Sequence, residues 1–467
     1  MHSTDSRSFS SPHPSGCHPW TTGLVVLLLA LCCGVPAPAA GLPAGYDELD
    51  GRVRAALVAI EAASRAETEP LSSPLDPAQV GRLAACVNPE AIEALTRVRK
   101  QLVTVRKELG LPDVELKVEA SGFTRVPDFN SMQGNMLALS RVFPLGGKLS
   151  RKAAAAFHEA RRAFHEYEGV VADLMRDARV AAAELYSAER QTQILDENIA
   201  LSKQLTDVAR IKYTTGLIVQ QDVIKAQVET ARYENERLAM VRMAEVARSM
   251  LASLLARPSD TAVPTASLPP VQPATASFET LEAIARTCRP EILAASAAID
   301  RARSELGVAT AERNRPDLMG QVGRMRDPLD DTSSWQAMVS VNLPWFSSRR
   351  KNEIREAEVG VEGEQRRLEA VWNKTRFALR EALLRTREAA ASLALFRDKL
   401  VPQARQALDS ARVNYETNQV DFLTLVDAQR ALEESSLGQI RAAAELSRRQ
   451  AELERTLGCA LPRAARR

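Results

Sequence analysis

The chain has 467 residues, of which only 21 are glycine and 4% are aromatic, whereas alanine, glutamate, leucine and arginine are abundant. This bias is typical of long helices or coiled coils. Charged residues make up 26% of the chain, but the two signs are interspersed and the net charge is only +2. A nucleic-acid-binding protein usually carries a concentrated basic stripe, so this composition argues against a nucleic-acid partner.

The first recognisable segment is the apolar run from Leu24 to Leu31, which is too short to cross a bilayer as a helix. With Ala37-Pro38-Ala39 as a cleavage site, it predicts a secretory signal peptide over residues 1–39 and export of the chain. Lipidation at Cys32 or Cys33 is the alternative, although neither is preceded by the small residue that such a site needs. Residues 40–80 are then expected to form an N-terminal periplasmic segment, and no later stretch predicts a transmembrane helix.

The remainder of the chain consists of two tandem copies of one unit. Residues 209–216 reappear as residues 411–418, at an offset of 415 − 213 = 202 residues, and Asn88-Pro89-Glu90 corresponds to Arg289-Pro290-Glu291. Two copies are too few for an open solenoid, which needs about three repeats, so we expect a closed assembly. We predict a first repeat over residues 81–256, a linker over 257–278, a second repeat over 279–461 and a tail over 462–467.

Each repeat contains a pair of strands in which apolar and polar side chains alternate. We predict these strands near residues 113–123 and 133–143, and near residues 316–326 and 334–344. Their length and single apolar face suit either a half-buried sheet or strands that span a membrane, which needs about 9–11 residues per strand. Four strands cannot close a barrel, and lipid tolerates no open sheet edge, so the membrane interpretation requires several protomers.

A very long helix follows each strand pair. No proline occurs between Pro144 and Pro258, and apolar residues recur at intervals of seven, as in Ile194, Leu201 and Val208. Residues 148–212 are predicted to form one helix ~95 Å long at ~1.5 Å per residue, followed by a break near Gly216 and a shorter returning helix. The second repeat has its break near Asn418, and Pro402 is expected to kink its long helix.

No catalytic constellation is present, so we expect no enzyme activity and no cofactor. His158 and His165 are seven residues apart on one helix, ~10 Å along its axis, which is too far to share one metal ion, and we interpret them as surface residues. Met240 lies on the heptad stripe and is interpreted as a packing residue, so no metal site is predicted.

Three cysteines remain after the predicted cleavage, and an odd number gives no disulfide framework. Cys86 and Cys288 lie at matching places in the two repeats. We expect Cys86, Cys288 and Cys459 to be buried free thiols, and a Cys86–Cys288 bridge in an oxidising compartment is the alternative.

An exported chain with two strand pairs, each followed by a long helical hairpin, resembles the TolC-like outer-membrane efflux proteins. The resemblance covers nearly everything after about residue 80, consistent with two tandem repeats. Phe143-Pro144-Leu145-Gly146-Gly147-Lys148-Leu149 and Leu111-Pro112-Asp113 look most like the heavy-metal (cation) efflux branch. The fold that the resemblance implies is mainly α with a transmembrane β part, in which each repeat is a β-hairpin plus a long coiled-coil helical hairpin.

The resemblance further implies a homotrimer in the outer membrane of a Gram-negative bacterium. Its twelve-stranded β-barrel would lie among outer-membrane lipid, and its helices would form a tunnel through the periplasm. The tunnel would meet a periplasmic adaptor protein and a proton-driven inner-membrane pump, so that the channel is a passive exit duct in a tripartite efflux system.

The residues that the resemblance implies for function lie around the two breaks. The pore-gate residues would be Asp427, Asp222, Tyr415 and Thr424. The tips that dock the adaptor would include Tyr213, Gly216, Leu217, Asn418 and Val420. The family often has an acidic residue where Thr424 stands, a basic gate residue where Val420 stands and a glycine where Asn418 stands, so this gate departs from the family pattern.

Four other functions compete with this interpretation. An outer-membrane channel for type I protein secretion or for drug efflux would share the same architecture. A periplasmic adaptor would need β-rich domains flanking a single hairpin, and a soluble coiled-coil scaffold would need neither a signal peptide nor strands with one apolar face.

Overall fold

The computed structural model describes residues 41–65, 76–121, 134–268, 276–327, 332–417 and 419–461. The predicted signal peptide, Asn418 and the predicted tail therefore lie outside the described residues. None of the described helices combines the length and the apolar character that crossing a membrane requires.

The same order of elements occurs twice along the chain. After an N-terminal helix α1 (Tyr46–Arg65), the first half contains α2 (Pro77–Val87), α3 (Pro89–Leu109), β1 (Glu115–Ser121), β2 (Gly134–Pro144), α4 (Lys148–Thr214) and α5 (Gln220–Leu254). The second half contains α6 (Phe278–Cys288), α7 (Pro290–Asn314), β3 (Asp317–Asp327), β4 (Thr332–Val341), α8 (Ser348–Leu395), a π-helical turn (Phe396–Leu400), α9 (Val401–Glu416) and α10 (Phe422–Leu457). The observed strands overlap all four predicted ones.

The chain divides into two compact units. One, the sheet unit, contains Val103–Ala156 and Ala302–Val361. The other, the helical unit, contains Gly45–Leu102, Phe157–Arg301 and Glu362–Arg467. Each unit therefore draws on both halves of the sequence.

The sheet unit is built on one antiparallel sheet with the order β1-β2-β3-β4. The register places Val118 beside Leu137 and Arg324 beside Trp335, so alternate residues of the four strands meet on a common face. That face is mostly apolar, and its exposed members are Leu116, Val118, Leu137, Trp335, Val339 and Val341. The alternation predicted from sequence thus places most of the exposed large apolar side chains of the sheet on one face.

The two faces of the sheet are less cleanly divided than the sequence predicts. Arg324 lies on the apolar face, where it donates a hydrogen bond to the Ser333 hydroxyl over 3.0 Å. The opposite face carries Lys117 and Gln336, but methionines interrupt it, as at Met136 and Met325.

A buried ion pair holds the start of the long helix to the start of β3. The Lys148 side chain is almost fully buried, and its Nζ lies 2.6 Å from Asp317 Oδ1. Gly146 and Gly147, just before the helix, have φ of 76° and 74°, a region that only glycine visits freely. The Arg315 guanidinium donates to the Gly146 carbonyl over 2.6 Å, which fixes this strand-to-helix turn.

The helical unit contains most of α4, the long helix of the first repeat. This helix has 67 residues, which corresponds to ~100 Å at ~1.5 Å per residue. The corresponding helix in the second half of the chain was expected to kink at Pro402, and it contains a π-helical turn that ends at Leu400. Proline lacks the amide that would continue the α-helical ladder, so a local change of helix type at this position has a direct cause.

Both returning helices end in the same way. The Asn88 side-chain amide donates to the Leu254 carbonyl over 3.2 Å, and the Arg289 guanidinium donates to the Thr456 carbonyl over 2.9 Å. Ala256 and Gly458, which follow the two helices, both have positive φ, at 54° and 87°. These matching ends agree with the predicted duplication.

Two segments have more structure than the sequence predicted. The N-terminal segment contains α1, whose Tyr46 is buried and hydrogen-bonded to the Leu102 carbonyl over 3.3 Å. The predicted linker is partly packed, because Val263 and Ala266 are buried against a cluster that includes Leu251. Apolar residues within a proline-rich connection thus anchor it to the core.

Candidate tip site

The first tip is a tight turn between α4 and α5 that depends on one glycine. Gly216 has φ of 73°, and its amide bonds the Tyr213 carbonyl over 3.0 Å while the Leu217 amide bonds the Lys212 carbonyl over 2.9 Å. This pattern closes the C-terminus of a helix with a left-handed residue. A Cβ at Gly216 would meet no atom within 4 Å, so backbone conformation alone requires glycine here.

The second tip lies between α9 and α10 and is closed by a side-chain cap. The Asp421 carboxylate accepts hydrogen bonds from the Thr424 amide, over 3.0 Å, and from the Thr424 hydroxyl. An aspartate at this position satisfies an amide that the helix cannot pair. These bonds lower the pKa of Asp421. The amide and the hydroxyl of Thr424, a predicted gate residue, are therefore both used in capping the start of α10.

A compact apolar cluster, here called the tip cluster, joins the two tips. Its buried members are Ala209, Ala226, Ala411, Tyr415, Phe422, Leu425 and Val426. Tyr415 is only 4% exposed, and its ring centroid lies 5.8 Å from that of Phe422. Lys212 of the first hairpin donates to the Tyr415 carbonyl over 2.8 Å, and its Nζ lies 3.9 Å from the centroid of the Tyr415 ring. The two hairpins are therefore fastened to each other at Tyr415.

The predicted gate residues occupy three different environments. Tyr415 is in the tip cluster, where burial and then the Asp222 charge raise its pKa. Asp222 is partly buried and lies 4.0 Å from Lys225. Asp427 is exposed and lies 3.6 Å from Arg430. The structure therefore brings Asp222 close to Tyr415, and leaves Asp427 on a helix surface in a weak ion pair.

The predicted docking residues are mostly exposed. Tyr213 and Leu217 are exposed, Leu217 by 62%, and both belong to the first tip. Val420 is half-buried against the tip cluster. Asn418 lies outside the described residues.

A shallow groove of ≈ 580 Å³ extends from the tips between α5 and α10. Phe422 and Val426 are among the residues that line it, and Ile224, Val228 and Leu423 leave apolar surface exposed along it. Sequence reasoning missed this groove, because it is formed by helices from different repeats.

A crossed pair of ion pairs, here called the charge clasp, closes the groove. Arg430 of α10 pairs with Glu229 of α5, and Arg232 of α5 pairs with Glu433 of α10, the latter over 2.6 Å. Both carboxylates are almost fully buried. In the sequence, opposite charges three residues apart in each helix could have predicted these ion pairs. The same spacing is also common on a solvated helix face.

The two carboxyl groups of the clasp respond differently to burial. Hydrogen bonding from Arg430 lowers the pKa of Glu229. Burial raises the pKa of Glu433 to about 7, with a further increase from the nearby charges of Glu236 and Glu229, and Arg232 only partly offsets this. Glu433 therefore changes charge near neutral pH.

The described residues contain no group of three or more histidines, cysteines, aspartates or glutamates that could hold a metal ion. His158 and His165 were interpreted as surface residues. Both are partly buried, and His165 Nδ1 lies 2.7 Å from Glu168. Burial lowers the pKa of His158, because packing against neighbouring helices disfavours its charged form.

Comparison with known proteins identifies this architecture. Residues 283–459 match the family described as outer membrane efflux protein. The cobalt-zinc-cadmium resistance protein CzcC of Cupriavidus metallidurans is 22% identical over 355 residues, which cover 74% of this chain and 81% of that protein.

Solved structures share the fold. The outer-membrane channel OprN has a TM-score of 0.71 at 19% identity, covering 83% of this chain and 91% of its own. CusC has a TM-score of 0.70 at 17% identity, covering 82% and 92%. VceC of Vibrio cholerae has a TM-score of 0.67 at 18% identity, covering 83% and 97%. The resemblance drawn from the sequence is confirmed, since residues 283–459 match the outer membrane efflux protein family and the relatives found are efflux or resistance proteins of the same fold.

Proposed function

We propose that this protein is the outer-membrane channel of a tripartite efflux system and works as a passive duct without catalytic activity. In this proposal three protomers each contribute four strands to a twelve-stranded barrel, and their helices form the periplasmic tunnel. The tunnel receives substrate from a proton-driven inner-membrane pump through a periplasmic adaptor protein. The observation that carries the proposal is the exposed apolar face of the sheet.

The sheet has the chemistry that a lipid-facing surface requires. Val118 is 74% exposed and Trp335 is 60% exposed, and both lie on the apolar face. Contiguous exposed apolar surface on a soluble monomer is usually small, so a surface of this kind indicates a partner or a membrane. Because β1 and β4 are the edges of the sheet, pairing β4 of one protomer with β1 of the next would leave no unpaired edge in lipid.

The tips are proposed as the surface that docks the adaptor. Leu217 and Val219 are exposed at the first tip, and Ile224, Val228 and Leu423 continue the apolar surface along the groove. A helical hairpin of the adaptor would cover these side chains, as helices with one apolar face do in grooves of this type. Tyr213, Gly216, Asn418 and Val420 complete the proposed docking region.

The gate is proposed to be formed by Asp222, Tyr415, Thr424 and Asp427. In a trimer each exposed Asp427 would belong to a ring of three carboxylates, which attracts cations. Asp222 and Tyr415 would hold the two hairpins together in the closed state. Thr424 is uncharged and bonded to Asp421, so a second acidic ring is absent at this residue.

Divalent metal cations are the proposed substrates, because the relative CzcC is named for cobalt, zinc and cadmium resistance. The experiment is to delete the gene and to measure the inhibitory concentrations of Co²⁺, Zn²⁺ and Cd²⁺ together with a panel of drugs. Metal sensitivity that a plasmid copy restores supports the proposal. Drug sensitivity without metal sensitivity would replace it by drug efflux, and loss of a secreted protein alone would replace it by type I secretion.

A further inference from the structure

Two of the three described cysteines meet where the second repeat begins and ends. Cys288 is the last residue of α6, and Cys459 follows Gly458, the left-handed residue that caps α10. They are separated by most of the second repeat in sequence. The helical unit nevertheless brings both chain segments to one place.

The backbone contact between these segments is very close. A Cβ at Gly458 would lie 2.6 Å from the Cys288 carbonyl oxygen and 2.5 Å from Arg289 Cα, so only glycine fits. The Arg289 guanidinium, next to Cys288, donates to the Thr456 carbonyl over 2.9 Å. Cys459 packs beside a buried cluster that includes Leu457 and Ala285. Burial, and then the neighbouring Cys288 thiol, raises the pKa of Cys459.

Cys86 does not occupy the equivalent position. Helices α2 and α6 each have 11 residues, and their capping amides bond the carbonyls of Ala84 and Ala285. Aligning these ends places Cys86 with Thr287, one residue before Cys288, and adjacent positions of a helix face different directions. The matching place assigned to Cys86 and Cys288 from sequence was therefore wrong by one residue.

The first repeat also lacks a second cysteine at its end. Leu255 corresponds to Leu457 at the repeat offset, so Arg257 stands where the second repeat has Cys459. The cysteine pair thus belongs to the second repeat alone, and Cys86 serves as an internal control.

We propose that Cys288 and Cys459 form a disulfide in the exported protein, which ties the beginning of the second repeat to its end. The structure shows the reduced thiols. The proposal rests on export to an oxidising compartment, where disulfides persist, and not on the efflux function. It replaces the Cys86–Cys288 alternative.

The oxidation requires a disulfide-bearing protein oxidant. The thiolate of one cysteine attacks the disulfide of the oxidant, forms a mixed disulfide and releases one oxidant thiolate. The thiolate of the other cysteine then attacks the mixed disulfide, so that the Cys288–Cys459 bond forms and the second oxidant sulfur leaves. Overall the pair loses two electrons and two protons, and the oxidant disulfide becomes a dithiol. Burial raises the pKa of Cys459 to about 12, and a thiol of high pKa is a slow leaving group, which protects the bond once formed.

Peptide mapping tests the bond directly. Protein from outer-membrane fractions is alkylated with N-ethylmaleimide during lysis and digested with trypsin without reductant. The peptides of interest are residues 287–301, since trypsin does not cleave between Arg289 and Pro290, and residues 456–463. We expect these two peptides linked to each other, and the peptide containing Cys86 alkylated. Recovery of Cys288 and Cys459 in alkylated form, or linked to Cys86, would overturn the proposal.

A mutant cycle distinguishes a covalent bond from simple packing. The variants are Cys288→Ser, Cys459→Ser, their combination and the control Cys86→Ser, each measured as the thermal midpoint of the purified trimer. Each single change in the pair should lower the midpoint by the full effect of the bond, so the double variant should lose no more than either. Additive losses, or an equal loss in Cys86→Ser, would contradict the disulfide.

Discussion

Replacing Val339 by arginine tests whether the apolar face of the sheet contacts lipid. Val339 is exposed on that face of β4, beside Gly320 of β3. Gln336 lies on the opposite face of the same strand, beside Gly323, and is also exposed. Gln336→Arg therefore adds the same side chain on the opposite face and closer to the strand centre, where lipid would penalise it more, so it is a stringent control.

The magnitude follows from the length of the strand. The 10 residues of β4 span ~26 Å of bilayer at ~3.4 Å per residue and a tilt of ~40°, which matches an apolar band of ~25 Å. Val339 is two to three residues from the strand centre, so about 6 Å from the midplane. Arginine costs ~2–4 kcal/mol at the midplane and ~0–1 kcal/mol at the interface, so about halfway between them we expect ~1–2.5 kcal/mol per protomer at Val339.

The assay is the yield of heat-modifiable trimer in outer-membrane fractions, together with urea unfolding of the trimer from vesicles. Since each ~1.4 kcal/mol is a factor of ten in an equilibrium constant, Val339→Arg should lower the folding equilibrium constant by roughly five- to sixty-fold per protomer. Gln336→Arg should stay near the wild type. Equal yields of the two variants would refute the assignment of lipid to this face, and a loss in Gln336→Arg alone would assign lipid to the other.

Three further predictions concern the tips. Gly216→Val should destabilise the tip by ~1–2 kcal/mol because φ is positive, and it should abolish efflux in a resistance assay while the trimer still inserts. The control is Gly360→Val, which also has open space for a Cβ and should keep efflux. Efflux by both variants would exclude the first tip from docking. Folding raises the pKa of Glu433 to about 7, so the stability that the protonated Glu433 contributes is complete below about pH 4.5 and is lost as pH rises through 7. Glu433→Gln should therefore flatten the fall of the thermal midpoint between pH 5 and 8. An unchanged slope relative to Glu434→Gln would contradict this. Asp427→Ala should raise conductance and reduce cation selectivity in planar bilayers, and an unchanged reversal potential in a salt gradient would remove Asp427 from the gate.

The long helices were predictable because their signal is local and repeated. Residues 148–212 were predicted as one helix, and α4 covers Lys148–Thr214. A heptad pattern without proline leaves no competing local structure, and the single glycine within it, Gly169, does not end the helix. The break at Gly216 was equally local, because the turn needs one residue with positive φ.

The pairing of the strands could not be predicted from the local sequence pattern. Alternation predicts which side chains share a face of one strand, but not which strands are neighbours or in which register. The pairing of β2 with β3, which places Leu139 beside Val322, joins residues from different repeats. Such non-local contacts are decided by closure of the whole chain rather than by propensity.

The charge clasp and the cysteine pair escaped prediction for a related reason. Glu229 and Glu433 belong to helices whose charged residues suit a solvated face, and only packing of α5 beside α10 buries them. The cysteine pair was missed because the sequence alignment of α2 with α6 was wrong by one residue. A repeat offset read from sequence tolerates such a shift, whereas the contact of two thiols does not.

The π-helical turn coincides with a difference in length between the two long helices. The long helix of the first repeat runs from Lys148 to Thr214, and its counterpart runs from Ser348 to Glu416. The offset is 348 − 148 = 200 residues where the two helices begin and 416 − 214 = 202 residues where they end, so the second helix holds two more residues between fixed ends. A turn with i→i+5 bonds takes up an additional residue while the helix continues, and Pro402 favours that turn just before it. Phe396 of this turn packs onto Gly438 of α10, where a Cβ would lie 2.4 Å from the ring. Glycine at that position leaves room for the Phe396 ring, so the proline, the π-helical turn and the glycine occur together in the second half of the chain.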